Sequence, residues 1–274
     1  YGCESGGDPK NIPDLTYENF LNFHRTYYHP SNSYIYLYGN MDMEEKLAFL
    51  DEHYLSHFDY LDVDSVIQEQ KEFGACRDVT LEYPVAENEG EEDNTYLSYN
   101  MVVGNAADSQ MAMAFEVLDY ALLSAPGAPL KQALLDVKAG KDVYGSYDDG
   151  ILQPYFTVIA KGSNPDRKEE FVSVIRQVLG DIVKNGIDKK AVEAGINYFE
   201  FRYREADFSS YPKGLMYSLD ILGDWLYESK APFAQVQMLK VFENLKKAVN
   251  EGYFEALIRR YLLENPHGCI LTLV

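Results

Sequence analysis

Two segments of alternating character decide the fold class of this sequence: RDVTLEYP at 77–84 and TYLSYNMVV at 95–103. In each segment apolar and polar side chains alternate with a period of two, which is typical of a β-strand with one buried face. The acidic run ENEGEED at 87–93 separates them and predicts a solvated turn, since charged runs stay in water. We therefore expect the two strands to pair as a long hairpin.

The remainder of the chain predicts a second hairpin, a series of helices and a final strand. The turn DDG at 148–150 separates strand segments at 144–147 and 155–161, and the last strand covers 269–274. Apolar residues spaced three and four apart predict helices over 108–123, 129–137, 165–184, 188–207, 211–228, 233–250 and 253–263. Runs of strands followed by runs of helices predict an α+β fold, in which helices pack on one face of a largely antiparallel sheet.

The first 60 residues predict an incomplete unit. One strand is expected between two helices, over 17–28, 33–38 and 43–58. These elements are too few to enclose a core of their own. We expect residues 1–60 to be the C-terminal tail of an upstream domain, residues 61–76 to be a linker, and residues 77–274 to form a second domain.

The composition indicates a globular protein with an acidic surface. Apolar residues make up 46% and charged residues 25% of the 274 residues, close to the averages of soluble domains. Lys and Arg number 24 against 44 Asp and Glu, which gives a formal charge of −20. This charge repels phosphate backbones, so we expect no nucleic-acid partner. No run of 18 apolar residues occurs, so we expect no membrane span.

The cysteines indicate a reducing compartment. Cys3, Cys76 and Cys269 are odd in number and far apart, which predicts free thiols rather than a disulfide framework. The sequence opens on Tyr1 with no apolar leader, so we expect its natural start to lie elsewhere. A cytoplasmic location is expected, or an organelle matrix if the source is eukaryotic.

His53 and His57 form the sharpest local pattern for metal binding. They stand four residues apart on the predicted helix 43–58, the spacing at which two imidazoles reach one zinc ion. The three residues between them, YLS, contain no carboxylate that could serve as a general base. We interpret the pair as exposed histidines, and we expect no metal and no other cofactor in this chain.

Other catalytic signatures do not occur in the sequence. There is no GxSxG nucleophile motif and no glycine-rich phosphate-binding loop. His24 and His29 lie on different sides of a helix end, and His267 lies in a turn. The residues alone therefore predict an α+β module without an active site of its own.

A longer pattern at the start of the chain is more specific. The stretch YGCESGGDPKNIPDLTYENFLNFHRTYYHPSNS at 1–33 closely resembles the insulinase/pitrilysin-type zinc metallopeptidases, in their presequence-protease-like branch. The resemblance continues through LSAPGAPL at 123–130, DGILQPYF at 149–156, EFRYRE at 200–205 and NPH at 265–267. It covers essentially the whole chain.

The resemblance implies a large enzyme in which four homologous α+β domains enclose a chamber and digest unfolded peptides. In that family an HxxEH helix of the first domain and a further Glu hold the zinc ion, and these elements would precede Tyr1. The transition-state Arg and Tyr belong to the last domain and would follow Val274. The resemblance thus gives this chain no catalytic residue. It implies zinc in the full-length parent, and as partners the parent's other domains and unfolded peptides.

Three functions are compatible with the sequence. The leading one is a non-catalytic segment of a zinc metalloendopeptidase, which forms chamber wall and holds the first domain in place. The second is a scaffold from an inactive paralogue, because the family includes subunits that keep the fold and lose the metal. The third is an autonomous peptide-binding module. An HxxEH motif upstream of Tyr1 separates the first function from the second.

Tyr144 and Tyr147 are the candidate substrate-binding residues. By the internal homology of the family's domains, their predicted strand corresponds to the region of the last domain that touches substrate. The alternative is that both tyrosines pack beneath helices. We also expect the excess of acidic residues to extend into the chamber and to favour basic peptides. A cavity whose charges share one sign raises the local concentration of molecules of the opposite charge.

Overall fold

The computed structural model describes residues 6–86, 90, 92–230 and 232–274. The chain divides into two compact units, Tyr1–Gln70 and Lys71–Val274. The division falls inside the stretch 61–76 that the sequence predicts as a linker. Cys3 and part of the predicted acidic turn lie outside the described residues. The assignment of the first unit to an upstream domain stays a prediction.

The first unit contains two helices, α1 (Tyr17–Tyr27) and α2 (Met43–His53). The side chain of Thr16 accepts a hydrogen bond from the Asn19 backbone N–H at 3.1 Å and closes a capping box, as its position before the predicted helix indicates. The predicted strand over 33–38 is wrong, because this segment is irregular. An isolated strand has no hydrogen-bonding partner for its backbone, and the described first unit contains no sheet.

The described residues of the first unit bury no side chain fully. Its aromatic side chains are exposed instead: Phe20 is 65%, Phe23 59% and Phe49 59% exposed. Each such ring gains about 1.5–3 kcal/mol when it is transferred from water into an apolar contact. The first unit therefore carries apolar faces that lack a core to enclose them.

A five-stranded sheet organises the second unit. Its strands are β1 (Arg77–Leu81), β2 (Thr95–Val102), β3 (Asp142–Asp148), β4 (Tyr155–Ser163) and β5 (Gly268–Leu273). Their order across the sheet is β1-β5-β2-β4-β3. Only the β1 and β5 pair is parallel among these strands, and the other neighbours are antiparallel. The prediction of a largely antiparallel sheet is confirmed.

The predicted hairpin between β1 and β2 is wrong, because β5 lies between them. Ile270 of β5 faces Tyr99 of β2 on one side and Asp78 of β1 on the other. The connection between β1 and β2 runs from residue 82 to residue 94, much longer than the short turns that fix the register of a hairpin. By contrast β3 and β4 pair directly across the DDG turn, where Asp148 Oδ1 accepts a hydrogen bond from the Gly150 N–H at 3.1 Å.

Helices cover one face of the sheet. They are α3 (Ser109–Asp119), α4 (Pro129–Asp136), α5 (Lys168–Asn185), α6 (Lys189–Glu205), α7 (Lys213–Trp225), α8 (Leu239–Ala248) and α9 (Tyr253–Leu257). The helices α3 and α9 continue into wider π-helical turns at Tyr120–Ser124 and Ile258–Leu263. The predicted α+β class, with helices on one face, is confirmed. Within the described part of the chain, no helix has the length and apolar character that crossing a membrane requires.

The core lies between the sheet and this helical layer. Leu97, Tyr99 and Met101 alternate along β2 and are at most 1% exposed, so one face of the strand is fully enclosed. The hydroxyl of Tyr99 donates to the carbonyl of Leu262, which satisfies its buried polar group. The same alternation buries Phe156 on β4, and the shared apolar face is the main source of stability.

Gly145 lets the helical layer approach β3 closely. A Cβ atom at this position would lie 2.3 Å from Leu123 Cδ1 and 2.7 Å from the carbonyl oxygen of Thr157. Both distances are shorter than a normal van der Waals contact, so this position excludes a side chain unless its neighbours move. Because Gly145 has no Cβ atom, the turn Tyr120–Ser124 can pack directly against β3.

Glu116 places a carboxyl group inside the helical layer, on α3. Burial and the nearby carboxylates of Asp149 and Asp119 raise the pKa of Glu116 to about 7, against a smaller opposite effect of Arg202. The folded protein therefore keeps a proton that the unfolded chain releases above pH 4.5. Stability contributed by this proton is lost as pH rises from 4.5 through 7.

We expect limited proteolysis to cut first within residues 59–76. This stretch lacks regular secondary structure up to residue 76, whereas the second unit contains the buried core. Mass spectrometry should then show a stable fragment of about 200 residues, the size of a self-sufficient domain. A first cut inside residues 77–274 would contradict this boundary.

We expect Glu116→Gln to stabilise the folded chain at pH 8 by about 1–3 kcal/mol and to change its stability little at pH 4.5. The neutral amide removes the cost of ionising a half-buried carboxyl group, a cost that grows as pH rises above 4.5 and is complete above the folded pKa of about 7. Urea denaturation at both pH values, followed by circular dichroism, measures the difference. An equal effect at the two pH values would show that the carboxyl is not the cause.

Candidate functional site

The two histidines with metal-binding spacing do not form a metal site. Among the described residues, no group of three or more His, Cys, Asp or Glu side chains could hold a metal ion. His53 is the last residue of α2, and His57 lies in a separate 3-10 turn. Tyr54 leaves the helical conformation with φ −138° and ψ −69°. The predicted helix over 43–58 therefore ends early, and the four-residue spacing no longer aligns two imidazoles.

Two further histidines, His29 and His267, contact neighbouring protein groups. His29 Nδ1 accepts a hydrogen bond from the Ser31 backbone N–H at 3.2 Å. His267 lies in the turn that the sequence predicts, yet it is only 4% exposed. Its ring meets the ring of Phe73 edge-on with 4.6 Å between centroids. Burial lowers the pKa of His267, so the imidazole is held in its neutral form.

Tyr144 and Tyr147 lie on opposite faces of β3. Tyr147 follows Tyr144 by three positions, an odd number, and side chains alternate along a strand. Tyr147 is 8% exposed and stacks on Phe115 with 5.6 Å between ring centroids, so it is part of the core. Tyr144 is 39% exposed on the face that the helices leave uncovered. Of the two candidates, the structure leaves only Tyr144 accessible to a substrate.

On the sheet face opposite the helices, a connected polar row runs across β2 and β4. Thr157 Oγ1 donates to Asn100 Oδ1 at 2.7 Å, and Asn100 Nδ2 donates to Ser98 Oγ at 2.8 Å. At the end of β4, Tyr155 Oη donates to Asp148 Oδ2 at 3.0 Å. These bonds hold the polar groups in fixed positions. Ser98 is 8% and Thr157 only 3% exposed, so the row itself is largely buried, and Tyr144 is the exposed group beside it on this face of the sheet.

A second candidate site, which the sequence does not predict, is a cleft of 330 Å³ at the edge of the helical layer. Three carboxylates, Asp149, Asp220 and Asp224, define this acidic cleft. Asp149 follows β3, and the other two stand one helical turn apart on α7. The cleft is also lined by the apolar side chains of Met113, Phe199, Tyr203, Leu219, Met238 and Phe242.

Burial raises the pKa of all three carboxyl groups in the acidic cleft. For Asp220 and Asp224 the negative charge of Asp149 adds to this effect, whereas a hydrogen bond from Gln235 opposes it for Asp224. The four-residue spacing of the two α7 residues was the only local signal in the sequence. Their approach to Asp149 depends on the fold.

Comparison with protein families identifies the chain over most of its length. The family described as Peptidase M16 inactive domain matches residues 14–199, so the match crosses from the first unit into the second. Protein HypA of Clostridium perfringens is 45% identical over 273 residues, which are all of this chain and 28% of that protein. Presequence protease 1 of Arabidopsis thaliana is 34% identical over 275 residues, 97% of this chain and 25% of that protein.

Solved structures agree in fold. A peptidase M16 inactive domain from Pseudomonas fluorescens has a TM-score of 0.69 at 16% identity and covers all of this chain and 60% of its own. An M16-like peptidase from Alicyclobacillus acidocaldarius also has a TM-score of 0.69, at 18% identity, over 99% of this chain and 61% of its own. The chain spans about a quarter of the length of the curated relatives it matches.

The resemblance drawn from the sequence motifs is therefore confirmed by independent comparisons of sequence and of fold. The family match accounts for more than half of the chain, and presequence proteases from plants, animals and fungi align along nearly its whole length. The chain belongs to the M16 peptidase family, as an inactive domain of the presequence-protease-like branch.

Proposed function

We propose that this chain is a non-catalytic segment of a zinc-dependent metalloendopeptidase that degrades unfolded peptides in a closed chamber. It forms part of the chamber wall and holds the catalytic domain in place. The observation that carries the proposal is the match to the M16 inactive domain across both units of the chain. The presequence proteases that align with it are about four times longer, which leaves room for the catalytic parts.

The first unit supports an attachment to further domains of the same protein. Its helices α1 and α2 expose large aromatic side chains, and its described residues bury none fully. Exposed apolar patches of this kind mark surfaces that another protein part covers. As partner we propose the sheet of an upstream catalytic domain, whose tail the first unit would be.

Zinc in the parent would be bound outside this chain. The described residues do not fit a zinc ion, because His53 and His57 lie on different elements and no third ligand joins them. No catalytic step is therefore assigned to residues of this chain. Its contribution would be to bind and orient a peptide on the uncovered face of the sheet, where Tyr144 offers an exposed ring.

The cellular location is proposed from the thiols and the relatives. Cys76 and Cys269 are free in the structure, and burial raises the pKa of both thiols, which keeps them protonated and unreactive. Relatives include mitochondrial presequence proteases. A reducing compartment, either the cytoplasm or an organelle matrix, fits these observations.

The parent reading frame tests the proposal directly. An HxxEH motif upstream of Tyr1 would support the peptidase. Its absence would favour the scaffold from an inactive paralogue, since that alternative keeps the fold without the metal. Capture of peptides by the isolated chain with high affinity would favour the autonomous binding module instead.

We expect the chain as given to bind no stoichiometric zinc and to cleave no peptide. Metal analysis after dialysis against zinc and then against buffer measures the first property, and mass spectrometry of an incubated unfolded peptide measures the second. His53→Ala and His57→Ala serve as controls. One zinc ion per chain that disappears in either variant would overturn the expectation.

In the intact parent we expect basic unfolded peptides to be cleaved faster than matched acidic ones at low salt. The formal charge of this segment is −20, and an acidic cavity raises the local concentration of cationic substrates. The advantage should shrink at high salt because ions screen it. Equal rates for both peptides at both salt concentrations would show that the charge serves solubility alone.

A further inference from the structure

We propose that the acidic cleft binds the positively charged side chain of an arginine or lysine residue in a peptide. The cleft combines an apolar wall with buried carboxylates, and these two features together recognise a long cationic side chain. This inference rests on the proposed function, because it names the substrate group that one site of the peptide-degrading protein would take.

Asp224 is the cleft carboxyl group whose hydrogen bonding within the protein is incomplete. It is only 4% exposed. Its Oδ1 atom accepts a hydrogen bond from Gln235 Nε2 at 3.1 Å, whereas its buried Oδ2 atom has no hydrogen-bond partner among the described residues. A buried carboxylate oxygen without a donor is unfavourable. A ligand that brings N–H groups into the cleft would remove this cost.

The charges around Asp224 are not balanced within the cleft. Asp149 and Asp220 line it together with Asp224, and its described lining contains no Lys or Arg. Arg202 interacts with Glu116, and neither residue belongs to the cleft lining. Burial and mutual repulsion raise the pKa of the cleft carboxyls. A guanidinium or ammonium group would supply the missing positive charge at this position.

The apolar wall selects an organic cation rather than a metal ion. The apolar part of the lining includes Phe199 and Tyr203 on α6 together with Met238 and Phe242, and such side chains pack well against the methylene groups of lysine or arginine. A divalent ion such as calcium needs six or more oxygen ligands. The described residues offer no metal-binding group of this kind, so a metal ion is disfavoured.

Isothermal titration calorimetry on the full 274-residue chain tests the inference. The probes are two short blocked peptides of Gly, Ser and Ala, one with a central arginine and one with neutral citrulline of the same shape. We expect the arginine peptide to bind about tenfold more tightly, because only its side chain brings a positive charge to the cleft carboxylates. Trp225 is the only tryptophan and follows Asp224 directly, so its fluorescence gives a second readout of binding at the cleft.

Asp224→Asn keeps the side-chain shape and an oxygen that accepts from Gln235, so we expect it to abolish the preference for arginine over citrulline. Asp220→Asn, at the exposed rim of α7, should reduce the same preference and tests the cleft even if the first variant fails to fold. The matched control is Asp181→Asn on α5, an exposed carboxylate away from the cleft, which removes the same charge and should leave the preference unchanged.

Equal binding of the two peptides, or no binding of either, would overturn the inference. An equal loss in Asp181→Asn and Asp220→Asn would also overturn it, because the effect would then come from total charge. These outcomes are separate from the proposed function. Suppose that the parent carries HxxEH and cleaves peptides, but that this segment binds the arginine and citrulline peptides equally. The proposed peptidase function would then stand, and only the proposed role of the acidic cleft would be rejected.

Discussion

The second unit depends on the pairing of β5 with a neighbour on each of its edges. Backbone hydrogen bonds join β5 to β1 on one side and to β2 on the other, and they extend to Val274, whose N–H donates to the Leu81 carbonyl at 2.9 Å. Through β2 the same ladder fixes β4 and β3. The turn that carries Asp149 therefore owes its position to a strand more than a hundred residues away in the sequence.

Two elements that the sequence predicted correctly, the β3 and β4 hairpin and α1, contain local interactions that favour them. The turn of the β3 and β4 hairpin contains a hydrogen bond that the Gly150 N–H donates to Asp148 Oδ1, and α1 begins at the cap that Thr16 provides. The wrong predictions concern partners that local sequence does not specify. A strand over 33–38 needs a sheet to join, and the pairing of β1 needs β5, which only tertiary packing brings beside it.

The candidate sites likewise depend partly on local sequence and partly on contacts between residues that are distant in the sequence. Tyr144 and Tyr147 point to opposite faces because they are three positions apart on a strand. This result can be derived from the sequence alone. The acidic cleft did not follow from any motif, because Asp149 meets Asp220 and Asp224 only when α7 packs beside the end of β3. Family resemblance located the chain within a peptidase but assigned no role to these carboxylates.

The position of β5 in the sheet also affects how the protein folds during its synthesis. A ribosome releases β1, β2 and every helix of the second unit before Gly268–Leu273 emerges. Until then β1 has no partner in the order observed, and one edge of β2 is open. Open strand edges invite pairing with other chains, and distant pairings form slowly. The nascent segment is therefore vulnerable to aggregation until its last strand arrives, and a chaperone that shields these edges would raise the yield of folded protein.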